Sequence, residues 1–305
     1  MRVMINDLVS PSYFTATAAV ELGFFEAEGI DAELVPGVHS PHPSLRDGGI
    51  DFIASSAYTE LEDFRDWRGL KILCALAQHT YWFLVVRSDL GARRGDVHAL
   101  KGLRIGAADS VAKTLQCLLA ETGIDMAREN IRIAPIPVSG GDPAVRSRIG
   151  AQALKDGIVD GFWANAMRAQ IAVRDGIGTI LLDVRRGDGP PSARHYTFPA
   201  LLTTDRLITE NPEAAAGAVR AIVKAQRALR EDPSLAAPIG RRLFPPIEAE
   251  IIAELIERDA PFYDANISED TIVRLNRFAQ DVGLLSGPVA YEHVVATEFA
   301  HLWNQ

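Results

Sequence analysis

Three serines in the first part of the sequence have side chains suited to binding a small polar molecule. Ser55 and Ser56 come directly after the apolar segment 50–54, which is typical of a β-strand, and Ser10 lies in the loop after the strand-like segment 2–5. A hydroxyl can donate a hydrogen bond to a carboxylate, a sulfonate or a ring nitrogen. It can equally cap the start of a following helix. The sequence therefore predicts either ligand contact or helix capping at Ser55 and Ser56.

His39, Arg46 and Gly48 lie in a polar segment between two predicted strands. The imidazole of His39 is a candidate for ligand binding or acid–base chemistry. The guanidinium of Arg46 either binds a planar anion through two parallel hydrogen bonds or neutralises the end of a short helix before Gly48. His39 and His42 are separated and followed by prolines, which prevents a metal-binding helix face, so we expect no metal site. We also expect no cofactor.

A second group of candidates lies in the middle of the sequence, where Ser110 and Lys113 follow the strand-like segment 103–106. Free N–H groups at the start of a helix favour an anionic group there. Ser110 is equally predicted to be a plain helix cap.

Aromatic residues concentrate near the predicted strand ends, which is typical of a site for an aromatic or flat heterocyclic ligand. Tyr81 and Trp82 are placed in one predicted strand, where opposite parity allows only one of them to face a ligand. The remaining candidates are aromatic, amide and imidazole side chains: Tyr13, Trp163, Asn165, His195 and Tyr196.

The elements that must position these residues alternate between strands and helices, which indicates an α/β fold with mostly parallel sheets covered by helices. Predicted helices cover 13–28, 59–67, 211–230, 247–258, 268–282 and 291–303, and a strand is predicted over 81–86. The polar stretch 87–98 predicts a crossing between lobes. We expect a discontinuous first lobe of residues 1–88 and 198–305, and a second lobe of residues 89–197.

Composition limits the possible partners. The chain has 305 residues, a formal net charge of −9 and only two cysteines. This acidic balance argues against nucleic-acid binding, which depends on a basic surface. We expect no membrane span, because no apolar run approaches about 20 residues. Compartment stays open: periplasmic if a leader has been removed, cytoplasmic if Met1 is the native start.

Several motifs resemble those of the type II periplasmic-binding proteins for nitrate, sulfonate, taurine and thiamine-pyrimidine precursors. The likeness begins with the segment 13–35, which contains G-F-F and E-G-I, and continues with G-G-I-D-F at 48–52. It extends to L-K-G-L-R-I-G at 100–106, A-L-K-D-G-I-V-D-G at 153–161 and N-P-E at 211–213. The resemblance implies a "Venus flytrap" fold with a ligand cleft between two lobes.

The same resemblance implies a function. We expect a solute-binding protein, similar to the SsuA and TauA group, that captures a small organic molecule, aromatic or anionic, for the permease of an ABC-type transporter. We expect binding rather than catalysis.

A narrower resemblance, to hydroxybiphenyl sulfinate desulfinases, rests on the V-H pair at 38–39 and R-D-G-G at 46–49. It implies a cytoplasmic enzyme, desulfinase-like or related to pyrimidine precursors, that uses Ser10, His39 and Arg46. Ser10 stands where those enzymes have a nucleophilic Cys, and a hydroxyl is much less nucleophilic than a thiolate unless a base activates it.

Overall fold

The computed structural model describes residues 1–37, 44–137 and 143–305, without the side chains of residues 143–146. The strands are β1 (Arg2–Ile5), β2 (Glu33–Pro36), β3 (Phe52–Ser56), β4 (Leu70–Ala75), β5 (Phe83–Arg87), β6 (Arg104–Gly106), β7 (Arg132–Ala134), β8 (Gly161–Ala164), β9 (Gly178–Asp183) and β10 (Pro199–Thr204). The α-helices are α1 (Phe14–Glu21), α2 (Phe24–Ala27), α3 (Asp109–Glu121), α4 (Pro143–Lys155), α5 (Ala166–Arg174), α6 (Asp205–Glu210), α7 (Pro212–Glu231), α8 (Ala236–Leu243), α9 (Pro246–Asp259), α10 (Glu269–Asp281) and α11 (Tyr291–Val294).

The chain divides into two compact units. The first unit comprises Met1–His79, His195–Phe244 and Ile252–Gln305, and the second comprises Thr80–Arg194 and Pro245–Ile251. The chain thus passes between units at His79 and again at Arg194. The boundaries predicted from the sequence instead fall after residues 88 and 197.

The first unit contains a five-stranded sheet in the order β2-β1-β3-β10-β4. β1 is parallel to β2 and to β3, whereas β10 is antiparallel to both β3 and β4. The carboxyl ends of β1, β3 and β4 therefore lie at the same edge as the amino end of β10. The residues that follow or precede these strand ends form what we call the first-unit edge.

Buried aromatic and aliphatic residues fill the space between this sheet and its helices. Phe14 and Phe52 are completely buried, and the rings of Phe25 and Phe52 lie 6.4 Å apart. Helix α7 packs against α1 and α2. Burying a phenylalanine side chain contributes about 1.5–3 kcal/mol, so this layer holds the first-unit edge on a rigid support.

The long helix α7 confirms the prediction over 211–230. Asn211 Oδ1 accepts a hydrogen bond of 3.1 Å from the N–H of Ala214, and Pro212 occupies the first helical position. Both features favour helix initiation. The predicted helix over 268–282 is likewise confirmed as α10, with Ser268 as its cap.

Other helix predictions were wrong. The helix expected over 13–28 is broken into α1 and α2 by Gly23, whose φ of 76° lies in the left-handed region. The segment 59–67 forms two 3-10 turns, and 291–303 forms α11 followed by a 3-10 helix. Apolar spacing indicated a helical period in these segments, but not where the helix would end.

The second unit contains another five-stranded sheet, in the order β7-β6-β8-β5-β9. β6 is parallel to β7 and β8, and β5 is antiparallel to β8 and β9. The strand expected over 81–86 in the first lobe is thus β5 of the second sheet. The carboxyl ends of β6, β8 and β9 meet the amino end of β5 at what we call the second-unit edge.

Among the described residues, no helix has both the length and the apolar character needed to cross a membrane.

Candidate functional site

Ser10, in the loop after β1, has a buried side-chain hydroxyl that makes no hydrogen bond to any described residue. The residue is 1% exposed. Its backbone is ordered by a turn, because the N–H of Ser10 donates to Asp7 O at 3.0 Å and its carbonyl accepts from Tyr13 N at 3.1 Å. A buried hydroxyl in this condition is able to donate to a bound oxygen or nitrogen acceptor.

The loop after Ser10 is fixed from the other end of the sequence. The hydroxyl of Tyr263 donates to the carbonyl of Pro11 at 2.9 Å, and Tyr263 itself is completely buried. Tyr13, which precedes α1, is 3% exposed. α1 starts without a side-chain capping hydrogen bond at its N-cap position. Ser10 is therefore held in place by its backbone and by Tyr263.

Ser55, in contrast, is engaged within the protein. Its Oγ lies 2.9 Å from Thr59 Oγ1, donates to Glu60 Oε1 at 2.8 Å and accepts from Asn6 Nδ2 at 3.3 Å. Its side chain is completely buried. This network joins the loop after β1 to the turn after β3, so the role of Ser55 is to position the edge.

Ser56, the last residue of β3, is 1% exposed. Its Oγ accepts a long hydrogen bond of 3.4 Å from the hydroxyl of Thr197, which precedes β10. This contact links the carboxyl end of β3 to the amino end of β10. The structure thus brings Ser10, Ser55 and Ser56 to one edge of the first sheet.

Tyr196 lies in an aromatic cluster on the same unit. Its ring stacks on Phe278 with the centroids 4.7 Å apart and the planes at 20°, while Tyr58 approaches Phe278 edge-on at 5.3 Å. Next to it, His195 contacts His79 in a T-shaped arrangement at 5.5 Å. His195 and Tyr196 immediately follow the second passage of the chain between units.

Arg46 occupies a turn rather than the end of a helix. It is exposed, one of its terminal nitrogens donates to the carbonyl of Asp63, and its guanidinium lies 5.3 Å from the ring centroid of Phe64. Gly48 has a φ of 73°, and an added Cβ there would meet Arg206 Nη2 at 2.7 Å. His39 lies outside the described residues. No described contact joins Arg46 or Gly48 to the three serines.

At the second-unit edge, α3 begins differently from the prediction. The N-cap position is Ala108, which offers no side-chain hydrogen bond, and Ser110 lies within the first turn of the helix. Ser110 and Lys113 are both exposed. The alternative that Ser110 caps the helix was therefore wrong, because the helix starts at Asp109, one residue before Ser110.

Trp163 lies near the end of β8, and Asn165 is the N-cap residue of α5. The indole Nε1 of Trp163 donates to Thr114 Oγ1 at 2.9 Å, which ties β8 to α3. Asn165 Oδ1 caps α5 by accepting from the N–H of Arg168 at 3.2 Å. Both residues are buried, at 3% and 1% exposure.

Tyr81 and Trp82 are both buried at this edge, which corrects the parity argument. β5 begins at Phe83, so the two residues precede the strand and do not alternate across it. Their rings lie 4.7 Å apart with planes at 30°, and the Trp82 ring lies 6.5 Å from that of Trp163. Sequence reasoning missed Trp82 for this reason.

Arg185 is a further residue that the sequence analysis did not single out. It follows the end of β9, is 1% exposed, and its guanidinium lies 5.6 Å from the ring centroid of Tyr81. A buried arginine is rare unless it is paired or functional. The only available signal was its place directly after a strand, in the segment Asp183-Val184-Arg185.

The side chain of Cys74, in β4, is completely buried. Burial raises the pKa of the Cys74 thiol, so this residue is a thiol and not a thiolate at neutral pH. Within residues 1–37, 44–137 and 143–305, no three His, Cys, Asp or Glu side chains cluster in a way that could hold a metal ion.

Solved structures share this architecture. The periplasmic nitrate-binding protein NrtA from Synechocystis superposes with a TM-score of 0.70 at 16% identity, covering 99% of this chain and 86% of that chain. A putative periplasmic sulfonate-binding protein SsuA from Methylobacillus flagellatus gives 0.67 at 16% identity, covering 99% and 92%. The desulfurization enzyme DszB gives 0.69 at 17% identity, covering 98% and 97%.

These likenesses confirm the predicted fold class, a two-lobed α/β fold of the periplasmic-binding-protein type with two five-stranded sheets. Comparison with curated protein sequences finds no match. A family model described as NMT1/THI5-like matches residues 10–236. Since this match covers most of the 305 residues, the chain belongs to the NMT1/THI5-like family.

Proposed function

We propose that this chain is a solute-binding protein that captures a small organic molecule with an acidic group and delivers it to the permease of an ABC-type importer. Neighbours with the same fold include proteins named for nitrate and sulfonate binding, which supports capture of an anion. In open α/β sheets, ligands bind outside the carboxyl ends of the strands. Both sheets of this chain carry polar or aromatic candidates at that edge.

The observation that carries the proposal is the hydroxyl of Ser10. It is buried at the carboxyl end of β1 and has no hydrogen-bond partner among the described residues. A polar group left this way in the folded protein costs about 1–3 kcal/mol, and a ligand oxygen that accepts from it recovers that cost. The neighbouring hydroxyls of Ser55 and Ser56 instead hold the edge together.

The catalytic alternative needs a base beside Ser10. Among the residues that the structure describes, none hydrogen-bonds Ser10 Oγ, and a serine without such a base is a weak nucleophile. The likeness to DszB is at 17% identity and supports a common fold. Capture without reaction is therefore the function that this geometry supports best.

A ligand screen tests the proposal. The full chain is heated with nitrate, alkanesulfonates, alkanecarboxylates, arylsulfonates, arylsulfinates and arylcarboxylates, and the Kd of each compound that raises Tm is measured by calorimetry. A ligand present at about 100 times its Kd stabilises the folded protein by about 2.7 kcal/mol. We expect at least one acid to raise Tm in a concentration-dependent way and to be recovered unchanged, as judged by mass spectrometry.

Ser10→Ala is the matched variant. Removing a hydrogen bond to a charged ligand should weaken binding about tenfold or more. Absence of binding across all these acids would contradict the proposal. Recovery of a chemically altered aryl sulfinate, lost in Ser10→Ala, would favour the catalytic alternative instead.

A further inference from the structure

The indole of Trp82 differs from the other tryptophans of the chain. The chain contains four tryptophans. Trp67 Nε1 donates to Asn276 Oδ1 at 3.1 Å, Trp163 Nε1 to Thr114 Oγ1 at 2.9 Å and Trp303 Nε1 to Leu73 O at 2.9 Å. Trp82 is 8% exposed, yet its Nε1 has no hydrogen-bond partner among the described residues.

This difference calls for a physical reason, because buried tryptophans normally find an acceptor for the N–H group. Trp163 provides a reference in which the indole N–H has an acceptor. Trp163, in β8, packs against Trp82, and its N–H donates to Thr114 in α3. Of these two indole N–H groups, only that of Trp82 lacks an acceptor among the described residues and can donate to a ligand.

The position of Trp82 favours such an acceptor. It immediately precedes β5, which lies between β8 and β9 in the second sheet. The N–H of Val184 donates to the carbonyl of Trp82 at 3.3 Å, so its backbone is fixed against the end of β9. Trp82 thus lies at the second-unit edge, where the carboxyl ends of β8 and β9 meet.

Two aromatic rings lie near the indole of Trp82. The centroids of the Tyr81 and Trp163 rings are 4.7 and 6.5 Å from that of Trp82, with interplanar angles of 30° and 31°. The buried guanidinium of Arg185 lies over Tyr81 at 5.6 Å. We call these four residues the Trp82 stack.

The neighbouring segment 183–188 contains two arginines and two aspartates. Asp183 is ion-paired with Arg186 at 3.1 Å. Asp188 and Arg94 form a separate ion pair at 2.7 Å. An indole N–H can only donate, so it favours a ligand with an acceptor oxygen, and the aromatic rings favour a flat ligand over a branched aliphatic one.

We propose that the Trp82 stack is a subsite for the aromatic acid that the chain captures, with Trp82 Nε1 donating a hydrogen bond to a carboxylate or sulfonate oxygen. This inference rests on the proposed solute-binding function and narrows its ligand class to aromatic acids. The ligand ring packs against the aromatic rings of the stack. Trp82 is then a residue that determines specificity.

Paired probes and paired variants test the inference. Binding of benzoate and 1-naphthalenesulfonate is compared with that of hexanoate and butanesulfonate, which carry the same charge without a ring. Trp82→Phe keeps an aromatic ring and removes the N–H donor. Trp163→Phe is the control, because it removes a donor that already has a partner.

We expect the wild-type protein to bind at least one aromatic acid about tenfold or more tightly than the aliphatic acid of the same charge. Trp82→Phe should lose about tenfold in affinity for that aromatic acid, the effect of one hydrogen bond to a charged oxygen. Both variants lose the same ring volume, so the Tm of Trp82→Phe without ligand should fall less than that of Trp163→Phe. Tm of Trp163→Phe should fall, since that change leaves Thr114 without its donor.

The outcomes separate the two proposals. Preference for aliphatic acids, or unchanged affinity of Trp82→Phe for the aromatic acid, overturns the role of the Trp82 stack and leaves solute binding in place. A fall in the Tm of Trp82→Phe equal to that of Trp163→Phe shows that the N–H has an internal partner, which also overturns it. Absence of binding to all acids overturns the proposed function itself.

Discussion

Asp160 is bound by Arg104 through three hydrogen bonds that join two strands of the second sheet. The backbone N–H and Nε of Arg104 donate to Asp160 Oδ2 at 3.0 and 2.9 Å, and Nη2 donates to Oδ1 at 3.0 Å. Arg104 begins β6, and Asp160 directly precedes β8. The pair therefore fixes the amino ends of strands whose carboxyl ends form the second-unit edge.

Asp160→Asn should destabilise the protein by about 1–3 kcal/mol, because charge-assisted hydrogen bonds to a mostly buried carboxylate are replaced by weaker ones. The hydrogen bonds from Arg104 hold the pKa of Asp160 below its usual value, although burial opposes the shift. Its contribution is thus fully present above the unfolded-state pKa, about 3.9, and is lost as pH falls through the lower folded-state pKa. Urea unfolding from pH 7 to pH 2.5 measures the difference in the free energy of unfolding between wild type and variant. This difference should decrease only at the acidic end of the range.

The control for this prediction is Asp270→Asn. Asp270 and Arg274 form an exposed ion pair on α10 at 2.7 Å, and such pairs contribute about 0.3–0.5 kcal/mol. A loss for Asp160→Asn no greater than for Asp270→Asn would contradict the structural role of the Asp160 pair.

Two serines at the first-unit edge should respond oppositely to alanine. Ser10→Ala removes a buried hydroxyl that has no partner in the described chain, so the free energy of unfolding should stay constant or rise. Ser55→Ala breaks the contacts to Asn6, Thr59 and Glu60 and should lower it by about 1–3 kcal/mol. Chemical denaturation at neutral pH gives both values. Equal destabilisation by the two variants would show that Ser10 also has an internal role.

Arg46→Ala distinguishes a ligand contact from a structural contact. The guanidinium donates to Asp63 O and lies over Phe64, an exposed cation–π arrangement that contributes about 0.5–1 kcal/mol. We expect a stability loss of that size and unchanged affinity for the captured acid. A loss of tenfold or more in affinity, with stability unchanged, would instead assign Arg46 to the ligand, as the resemblance to desulfinases implied. Calorimetric titration and thermal unfolding of one variant provide both quantities.

The sequence predicted elements whose signals are local. Asn211-Pro212-Glu213 and Ser268 mark helix starts through side-chain and ring chemistry that acts within one turn, and both helices begin there. Pairing between distant strands has no such local signal. β5 continues directly from the first-unit segment in sequence, and its place beside β8 and β9 depends on residues about 80 to 100 positions away.

The candidate sites show the same limit. The sequence predicted that Ser10 follows the first strand and that Trp163 lies near the end of another strand, and both positions agree with the structure. Which hydroxyl or indole is satisfied internally depends on contacts such as Ser55 with Glu60 and Trp163 with Thr114. Those contacts join separate elements, so neither could be anticipated from residue type. Trp82 was misjudged because the start of β5 was placed two residues too early.

The energetic cost of an unbonded indole N–H can be measured within this chain at Trp67. Its Nε1 donates to Asn276 Oδ1, while Asn276 Nδ2 donates to Val289 O at 3.0 Å. Asn276→Leu keeps the branch at Cγ and the number of side-chain heavy atoms but removes both contacts, and it leaves the buried donor of Trp67 without an acceptor. We expect a loss of about 1–3 kcal/mol in the free energy of unfolding.

Trp67→Phe combined with Asn276→Leu should destabilise the protein less than the sum of the two single changes, because the double variant buries no unbonded indole donor at this position. This difference, measured by a double-mutant cycle in urea, estimates the penalty that Trp82 carries in the protein without ligand. A coupling of zero would show that this chain tolerates a buried indole N–H without cost. In that case the unbonded donor of Trp82 would give no reason to place a ligand oxygen beside it.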